Sequence, residues 1–475
     1  MKKDIFKIAY LLLPVALLFQ SCNKYIDTDI NTDPNAPAKV PLNLLLPTAE
    51  VGTVQAEGSD FILPTLYWMQ QLEGVASQAG NQEAYSYVPT DGDNLWKWEM
   101  YAGVMMDCHQ MMGQAETEKA PYYKGIAQTI MAYDLMQMTD LFGDIPYTKA
   151  FKGSANYHPT YDSQESIYKT ILPNLLDSAI IELSKPASDN SVTPGGDDLI
   201  YAGDNTKWIK LAYSLKARLY IHLSKVSPSD AFTNALASVA KAFTSNDDDA
   251  ILAFGSTETN ANPIYQMNEQ RTGYIGGLGA KLVDMMNGGT PDSAADDDPR
   301  LKIYADTTGT NGSWVGYAAG APAGAACQIG TYFSSISSPI SVISYVEVKF
   351  IEAEALFQTG DLAGAANAFN EAVKKSLEKY GVSDTVWEST NANETNLTIT
   401  LAKIMNAKYV ALYLNSEVYN DWRRHDDVIV ITPAAGNLTK NIVPRRFLYP
   451  NDEISNNKAN VPIGITITNK VWWDK

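Results

Sequence analysis

The sequence predicts a mostly α-helical protein, built on helical hairpins of the tetratricopeptide type and completed by an irregular, loop-rich half. Three observations support this fold class. Apolar residues recur every three to four positions over several segments. A Gly-Asp turn joins two of these segments into a hairpin, and two long stretches rich in glycine, proline and aspartate interrupt the helical pattern. The 475 residues, 45% of them hydrophobic, are enough chain for a substantial core.

The first 21 residues have the layout of a secretory signal peptide. Three lysines precede an apolar stretch at residues 8–19, which is too short to cross a bilayer. Ser21 and Cys22 follow, and a small residue directly before a cysteine at this position is typical of a lipoprotein cleavage site. We therefore expect lipid attachment at Cys22. An ordinary signal peptide with an incidental cysteine is the alternative.

The segment after the cysteine is predicted to be a tether. Residues 22–40 are largely polar, and Pro34 and Pro37 oppose helix formation. Several acyl chains, at about 0.8 kcal/mol per buried CH₂ group, would hold such a protein firmly on a membrane surface. The predicted organisation is a signal peptide, this tether and a single domain over residues 41–475.

Two amphipathic helices are predicted in the second quarter of the chain. Asp162 and Glu165 fit the capping-box pattern before a run with a helical apolar period. Asp204 can cap a second helix, whose apolar stripe runs through residues 208–223. The basic residues of this second helix, including Arg218, fall on another face, where we expect them to be solvated.

Residues 345–380 form the clearest supersecondary unit. Gly360 is placed to end one helix in a left-handed conformation, and Asp361 can cap the next. Ala365 and Phe369 match the A-x₃-F element of a tetratricopeptide hairpin. Because one hairpin cannot bury its own apolar face, we expect further hairpins to pack on it. The candidates are segment 122–141 with its upstream helix and the helices that begin near Ser163 and Lys207.

Composition limits the possible functions. The net charge of −18 disfavours nucleic acid as a partner. Four histidines and three cysteines show no zinc-binding spacing, so we expect no metal, no cofactor and no catalytic constellation. Cys108 and Cys327 would be able to pair in an oxidising compartment, but a buried free thiol is equally compatible with Cys108 inside a predicted helix.

Aromatic residues in loops are the candidate ligand-binding groups. The flat faces of aromatic rings pack against sugar C–H surfaces, while amides, carboxylates and arginine bind hydroxyl groups. The candidates are Tyr85, Tyr87 and Trp96 in segment 81–98, Arg271 and Tyr274 after Asn268, and Trp314 and Tyr317 in the glycine-rich segment 287–330. On an extended segment Tyr85 and Tyr87 would share one face as a stacking platform. Trp96 and Trp98 lie at a helix entry, where core packing is the alternative.

Two acidic clusters invite a calcium interpretation. Residues 247–249 and 296–298 are each three consecutive aspartates, and oxygen ligands suit Ca²⁺. Neither cluster has EF-hand spacing, and we expect both to be solvated turns. The blocks at residues 140–147 and 422–424 are predicted to be structural.

Several blocks occur in a fixed order along the chain. They are Cys22 followed by Asn31–Asn35, Asp140–Tyr147, Trp208–Arg218, Asp298–Leu301, Glu347–Glu354, Tyr419–Arg424 and Pro444–Pro450. Together they resemble the SusD/RagB family of outer-membrane nutrient-binding lipoproteins, most closely its SusD-like, starch-binding-associating branch. The resemblance implies one helical domain on about four tetratricopeptide-like hairpins, with the ligand site in the loop-rich half. It also implies a SusC-type TonB-dependent transporter as partner, oligosaccharides or peptides as ligands, and no catalysis.

Two other functions remain open at this stage. A secreted glycoside hydrolase would need two carboxylates at a set separation, and no motif nominates such a pair. A protein-interaction scaffold would instead bind peptide on its concave helical face. A ligand bound on the loop-rich half would favour nutrient binding over the scaffold function.

Overall fold

The computed structural model describes residues 39–475 except 272, 273, 293, 295, 322 and 323. The predicted signal peptide, Cys22 and almost all of the tether lie outside the described residues. The helices are α1 Leu42–Glu57, α2 Leu63–Trp68, α3 Ser77–Glu83, α4 Met105–Glu118, α5 Pro121–Phe142, α6 Gln164–Ser166, α7 Leu172–Leu183, α8 Asn205–His222, α9 Pro228–Val239, α10 Pro263–Tyr265, α11 Ala280–Asn287, α12 Leu301–Tyr304, α13 Thr331–Ser334, α14 Tyr345–Thr359, α15 Leu362–Lys379, α16 Thr385–Asn391, α17 Leu401–Ala411, α18 Glu417–Arg424 and α19 Asn451–Asn456.

The strands are short and pair in twos. They are β1 Leu72–Gly74, β2 Ala250–Ala253, β3 Ile275–Leu278, β4 Ala305–Asp306, β5 Gln328–Ile329 and β6 Pro339–Ile343. Three antiparallel ribbons result, pairing β1 with β3, β2 with β6 and β4 with β5. The described residues also include short 3₁₀ helices and three π-helical segments, Leu95–Val104, Ile167–Ile171 and Gln266–Gln270.

The predicted helical hairpins are present and stack against one another. Helices α14 and α15 form the hairpin of residues 345–380, and α8 with α9 and α4 with α5 form two more. Gly360 ends α14 with φ of 88°, and the Asp361 carboxylate accepts a hydrogen bond of 2.9 Å from the Gly364 amide. Helix α14 also packs on α9 and α17, so the apolar faces are buried between neighbours. The prediction of a mostly helical hairpin scaffold is confirmed.

Arg218 corrects one sequence expectation. Its side chain is fully buried rather than solvated, and its Nε and Nη2 donate to the Glu347 carboxylate at 2.7 Å each. The carboxylate of Glu417 lies 3.6 Å from the same guanidinium. The residue faces the core because α8 is covered on both sides, by α9 and by α14 and α18. A buried ion pair of this kind is strongly destabilised when only one partner is removed.

The blocks predicted to be structural belong to the same buried network. Arg424 donates to Glu354 at 2.8 Å, and the Arg423 guanidinium donates to the Asp140 carbonyl at 2.6 Å. Asp140, His222 and Glu417 place three metal-type ligand atoms within 4.8 Å of one another. These atoms already bind partners inside the protein, including Tyr168 and Trp473. We therefore assign the group to the scaffold core.

The irregular half contains the segments predicted to be loops. The described residues of segment 287–330 include the short helix α12, a 3₁₀ helix at Thr308–Thr310 and the ribbon of β4 and β5. Gly279 follows β3, and a Cβ atom there would overlap the Gln70 carbonyl. This close backbone approach joins the loop-rich half to the end of α2.

The acidic clusters form turns, as predicted; the first aspartate of each cluster is exposed, whereas the buried aspartates are ion-paired rather than solvated. Asp248 binds Lys210 at 2.8 Å, Asp249 binds Lys379 at 2.9 Å, and Asp298 accepts from the Arg300 guanidinium at 2.9 Å. These three aspartates are buried. Lys210 and Lys379 reach Asp248 and Asp249 from α8 and α15, whereas Arg300 belongs to the same turn as Asp298. The two cysteines of the described part, Cys108 and Cys327, are both buried free thiols. In residues 39–475, outside the six omitted positions, no helix combines the length and apolarity needed to cross a bilayer.

Candidate functional site

A cleft opens between α1, the π-helical segment Leu95–Val104 and the residues around Pro263. We call it the Trp98 cleft. Its volume is 690 Å³, within the range of roughly 300–1,000 Å³ that is typical of ligand sites. The side chains in its wall that bear on ligand chemistry are Gln55, Ser59, Trp98, Glu99, Asp107 and Gln266.

Trp98 presents the largest aromatic surface of the cleft. Its side chain is 64% exposed. The Lys97 Nζ lies 4.8 Å from the ring centre and makes a cation–π contact with it. An ion pair with Asp452 at 2.8 Å holds the Lys97 side chain in this position. Gly103 breaks the helical geometry behind it with φ of −100° and ψ of −113°. A Cβ atom at Gly103 would lie 2.7 Å from the Trp98 carbonyl oxygen, so only glycine fits this turn without displacement.

Glu99, in the wall of the cleft, is paired with Asp60, a neighbouring carboxyl group that is not itself part of the wall. The two groups are hydrogen-bonded to each other. Burial, followed by the charge of Asp60 and the hydrogen bond between them, raises the pKa of Glu99 to about 9. Burial also raises the pKa of Asp60, against the opposing effects of the Glu99 hydrogen bond and the Arg271 charge. The pair therefore retains a proton at neutral pH.

Arg271 and Tyr274, two predicted site residues, lie close enough to Asp60 to interact with its charge, but they are not in the wall of the Trp98 cleft. We call these two residues the polar rim. The Arg271 guanidinium lies 5.8 Å from the Tyr274 ring centre. The Tyr274 hydroxyl is 3.4 Å from the Gln78 side-chain oxygen, and the Gln78 amide donates to Asp91 at 2.9 Å. Arg271 is exposed and Tyr274 is half-buried, so both remain accessible to a ligand.

Tyr85 and Tyr87 do not form the expected stacking platform. They are only 2% and 4% exposed. Tyr85 has φ of 61°, so the segment is not extended, and its hydroxyl accepts a hydrogen bond of 3.1 Å from the Ala434 amide. The Tyr87 ring stacks on Phe447 with ring centres 4.5 Å apart. Both rings are packed in the core and have no free face for a sugar.

Trp96 also lies in the core, as its alternative interpretation proposed. It is 4% exposed and packs edge-on against Phe142 with ring centres 5.0 Å apart. Trp96 and Trp98 are two positions apart on a helical segment, and side chains at that spacing point to different sides of a helix. Burial of Trp96 therefore accompanies exposure of Trp98. This periodicity is the sequence signal that distinguishes the two tryptophans.

Trp314 and Tyr317 are half-buried and lie near β3 rather than in the wall of the Trp98 cleft. The Tyr317 amide donates to the Leu278 carbonyl at 2.8 Å, which fixes the loop against the end of β3. Its ring packs on Gly277, where a Cβ atom would lie 3.3 Å from Tyr317 Cε2. Because Tyr274 directly precedes β3, the strand connects the two partly accessible tyrosines.

The sequence did not nominate the polar residues Gln55, Asp60, Glu99 and Gln266. Each occupies a helix or a turn where a polar residue ordinarily faces solvent, so local pattern carried no signal for them. They meet only because α1 approaches the π-helical segment closely. A Cβ atom at Gly52 would lie 2.5 Å from Val104 Cγ2, which shows how near the two elements are.

Comparison with known proteins identifies the family to which this fold belongs. A SusD-like family model, described as starch-binding associating with outer membrane, matches residues 34–450. The match covers most of the chain, so the chain belongs to this family, and the resemblance drawn from the ordered sequence blocks is confirmed. The family description places such proteins in association with the outer membrane. No match is found among curated proteins.

Several solved structures share the fold. A chitin-binding protein aligns with a TM-score of 0.77 at 25% identity, covering 92% of this chain and 100% of its own. A SusD/RagB family protein from Bacteroides thetaiotaomicron aligns with a TM-score of 0.75 at 23% identity, covering 92% and 99%. A chitin-binding SusD homolog from Flavobacterium johnsoniae aligns with a TM-score of 0.73 at 22% identity, covering 91% and 97%. These similarities confirm the helical fold.

Proposed function

We propose that this protein is a cell-surface nutrient-binding lipoprotein that captures oligosaccharides in the Trp98 cleft. The observation that carries the proposal is an exposed tryptophan in the wall of a 690 Å³ cleft that also holds amide and carboxyl groups. Membership of the SusD-like family supports it. Two proteins with the same fold bear names that describe chitin binding.

The cleft has the chemistry that a neutral sugar requires. The exposed surface of Trp98 can pack against the C–H face of a pyranose ring. Gln55 and Gln266 each offer a carbonyl oxygen and an amide group to hydroxyls, and Ser59 offers a hydroxyl. Arg271 and Tyr274 of the polar rim extend this polar surface along a longer chain. An oligosaccharide rather than a monosaccharide is therefore the proposed ligand.

Binding without turnover is part of the proposal. A glycoside hydrolase holds two carboxyl groups on opposite sides of the scissile bond, at least about 5 Å apart. Asp60 and Glu99 are hydrogen-bonded to each other instead, so no sugar fits between them. Asp60 and Glu99 are therefore not a hydrolytic pair, and recovery of the sugar at its original length is the direct test against the hydrolase alternative.

Location and delivery complete the proposal. Cleavage before Cys22 would leave a lipidated mature chain, residues 22–475, tethered to the outer membrane by its first residues. The captured oligosaccharide would then pass to a SusC-type TonB-dependent transporter. Because the cleft is lined almost entirely by helical segments, the chemistry of the bound ligand, rather than the location of the cleft, distinguishes nutrient binding from the peptide-scaffold alternative.

Isothermal titration with matched oligosaccharides and peptides tests this function. We expect neutral chitin or starch oligosaccharides to bind and to be recovered at their original length. Oligogalacturonides of equal length should bind more weakly, because Asp107 and the Asp60–Glu99 pair, which shares a proton, give the cleft negative charge. The difference in affinity between neutral and acidic oligosaccharides should decrease as salt is added. Release of shortened sugars, or binding confined to peptides, would contradict the proposal.

A further inference from the structure

A single buried carboxylate, that of Glu83, joins two loop segments beside the proposed ligand site. Glu83 is the last residue of α3. Its Oε2 accepts a hydrogen bond of 2.5 Å from the Gly74 amide at the end of β1. Its Oε1 accepts a hydrogen bond of 2.6 Å from the Gly320 amide in the segment that carries Tyr317. Both oxygens of one side chain are thus committed to backbone groups of different segments.

A third segment closes around the same point. The Ala435 amide donates to the Ala319 carbonyl at 3.0 Å, and the Ala434 amide donates to the Tyr85 hydroxyl at 3.1 Å. Gly320 has φ of 74°, and a Cβ atom there would overlap the Ala435 backbone. The chain around Gly320 therefore packs tightly between Glu83 and residues 434–435.

Glu73 faces Glu83 from β1. It is 1% exposed, and within the described part of the chain neither of its oxygens meets an N–H or hydroxyl donor. Its remaining partner is the Glu83 carboxylate. Burial, followed by the hydrogen bond to Glu83 and the Glu83 charge, raises the pKa of Glu73 to about 11. Glu73 is therefore a neutral acid that can donate its proton to Glu83.

The pair lies directly behind the polar rim. In the β1–β3 ribbon Glu73 is opposite Gly277. The Tyr317 ring packs on Gly277, and Tyr274 directly precedes the same strand. Displacement of β1 or of the Gly320 segment would therefore move both tyrosines.

We propose that Glu73 and Glu83 share one proton, and that the Glu83 carboxylate is a positioning residue that orders segment 314–321 and, through β3, Tyr274 of the polar rim. The effect on ligand affinity rests on the proposed function. The ordering of segment 314–321 does not, because it follows from hydrogen bonds within the protein.

The two positions should respond differently to the same substitution. Glu83→Gln replaces one accepting oxygen with an NH₂ group that cannot accept from a backbone amide. We expect roughly tenfold faster hydrogen exchange in residues 314–321 and a roughly tenfold loss of affinity for a chitin oligosaccharide. Glu73→Gln keeps a neutral side chain that still donates to Glu83. Hydrogen exchange in residues 314–321 and the affinity for the chitin oligosaccharide should therefore stay within about twofold of wild type.

Glu50→Gln is the matched control. Glu50 is also fully buried and accepts a backbone hydrogen bond, 2.7 Å from the Leu199 amide, but it lies on α1. This variant should leave exchange in residues 314–321 unchanged. Equal effects of Glu73→Gln and Glu83→Gln, or wild-type exchange in Glu83→Gln, would overturn the proposal.

An infrared difference spectrum supplies a readout that does not depend on Glu83→Gln folding. Wild type minus Glu73→Gln should show a protonated carboxyl band at neutral pH, and its absence would overturn the shared proton. If the wild-type protein binds no oligosaccharide, the proposed function fails, while the exchange and infrared measurements still decide whether Glu83 orders the loop.

Discussion

His222 shows how a buried ionisable residue is stabilised in the scaffold core. Its Nε2 lies 2.7 Å from the Glu417 carboxylate, and its Nδ1 lies 2.8 Å from the Tyr168 hydroxyl and 3.4 Å from Asp140. Burial alone would lower the pKa of His222. The charges of Glu417 and Asp140 outweigh burial and raise it from 6.5 to about 9. The imidazolium is thus the folded-state form at neutral pH.

This shift predicts a pH-dependent stability. Because the folded-state pKa is higher than the unfolded one, the stabilisation is fully present below pH 6.5 and is lost as the pH rises through 9. The full effect amounts to roughly 3 kcal/mol. Urea unfolding of wild type and His222→Gln across this range should show a large stability gap at low pH that shrinks at high pH. A stability difference between the two proteins that does not change with pH would contradict the raised pKa of His222.

Single-residue predictions failed where tertiary contacts determined the outcome. Trp96 was predicted to bind ligand, and the structure places it in the core, which was the alternative given for it, while Trp98 is exposed. Arg218 was expected to be solvated because its stripe is polar, but its partner Glu347 is distant in sequence and close only after folding. The predicted stacking platform of Tyr85 and Tyr87 failed for a related reason. Tyr85 has a positive φ, and both residues contact the distant segment 434–447.

At the scale of elements, the junction of β3 and α11 requires a residue without a side chain at Gly279. Gly279→Ala would push the new Cβ atom into the Gln70 carbonyl, whose backbone has little freedom to move. We expect a loss of about 1–3 kcal/mol in the free energy of unfolding. Gly113 is the matched control, since it lies in α4 and a Cβ atom added there would meet no other atom within 4 Å. Gly113→Ala should stabilise the protein by up to about 1 kcal/mol.

Thermal unfolding of the two alanine variants measures this contrast. The melting temperature should fall for Gly279→Ala and remain the same or rise for Gly113→Ala. A similar shift for both variants would show that close backbone approach at Gly279 does not limit stability.

Helix ends were predictable when the capping group had no competing partner. Asp204 caps α8 through the Thr206 and Lys207 amides, as expected from its position. The predicted cap at Asp162 is wrong by one residue, because Ser163 accepts from the Ser166 amide instead. The Asp162 carboxylate instead accepts hydrogen bonds from the Tyr147 and Thr148 amides, at 2.8 Å each. That interaction joins two segments and has no local sequence signature.

At the scale of the whole molecule, the division into a helical stack and an irregular half followed from the sequence. Periodicity marked the helices, and the glycine-rich stretch marked the loops. The Trp98 cleft did not follow, because it exists only where α1, a π-helical segment and residues 263–267 converge. Such a cleft is defined by tertiary contacts among residues that are individually ordinary.

The proposed function places the oligosaccharide in the Trp98 cleft. Titration of a chitin oligosaccharide into wild type, Trp98→Ala and Trp472→Ala tests it most directly. Trp472 is a matched control, since it also has a lysine near its ring, Lys169 at 5.3 Å from the ring centre, but lies outside the cleft.

We expect Trp98→Ala to lose roughly tenfold or more in affinity, as stacked aromatic contacts and their buried area are removed. Trp472→Ala should bind like wild type. Equal affinity of Trp98→Ala and wild type would contradict oligosaccharide binding in the Trp98 cleft.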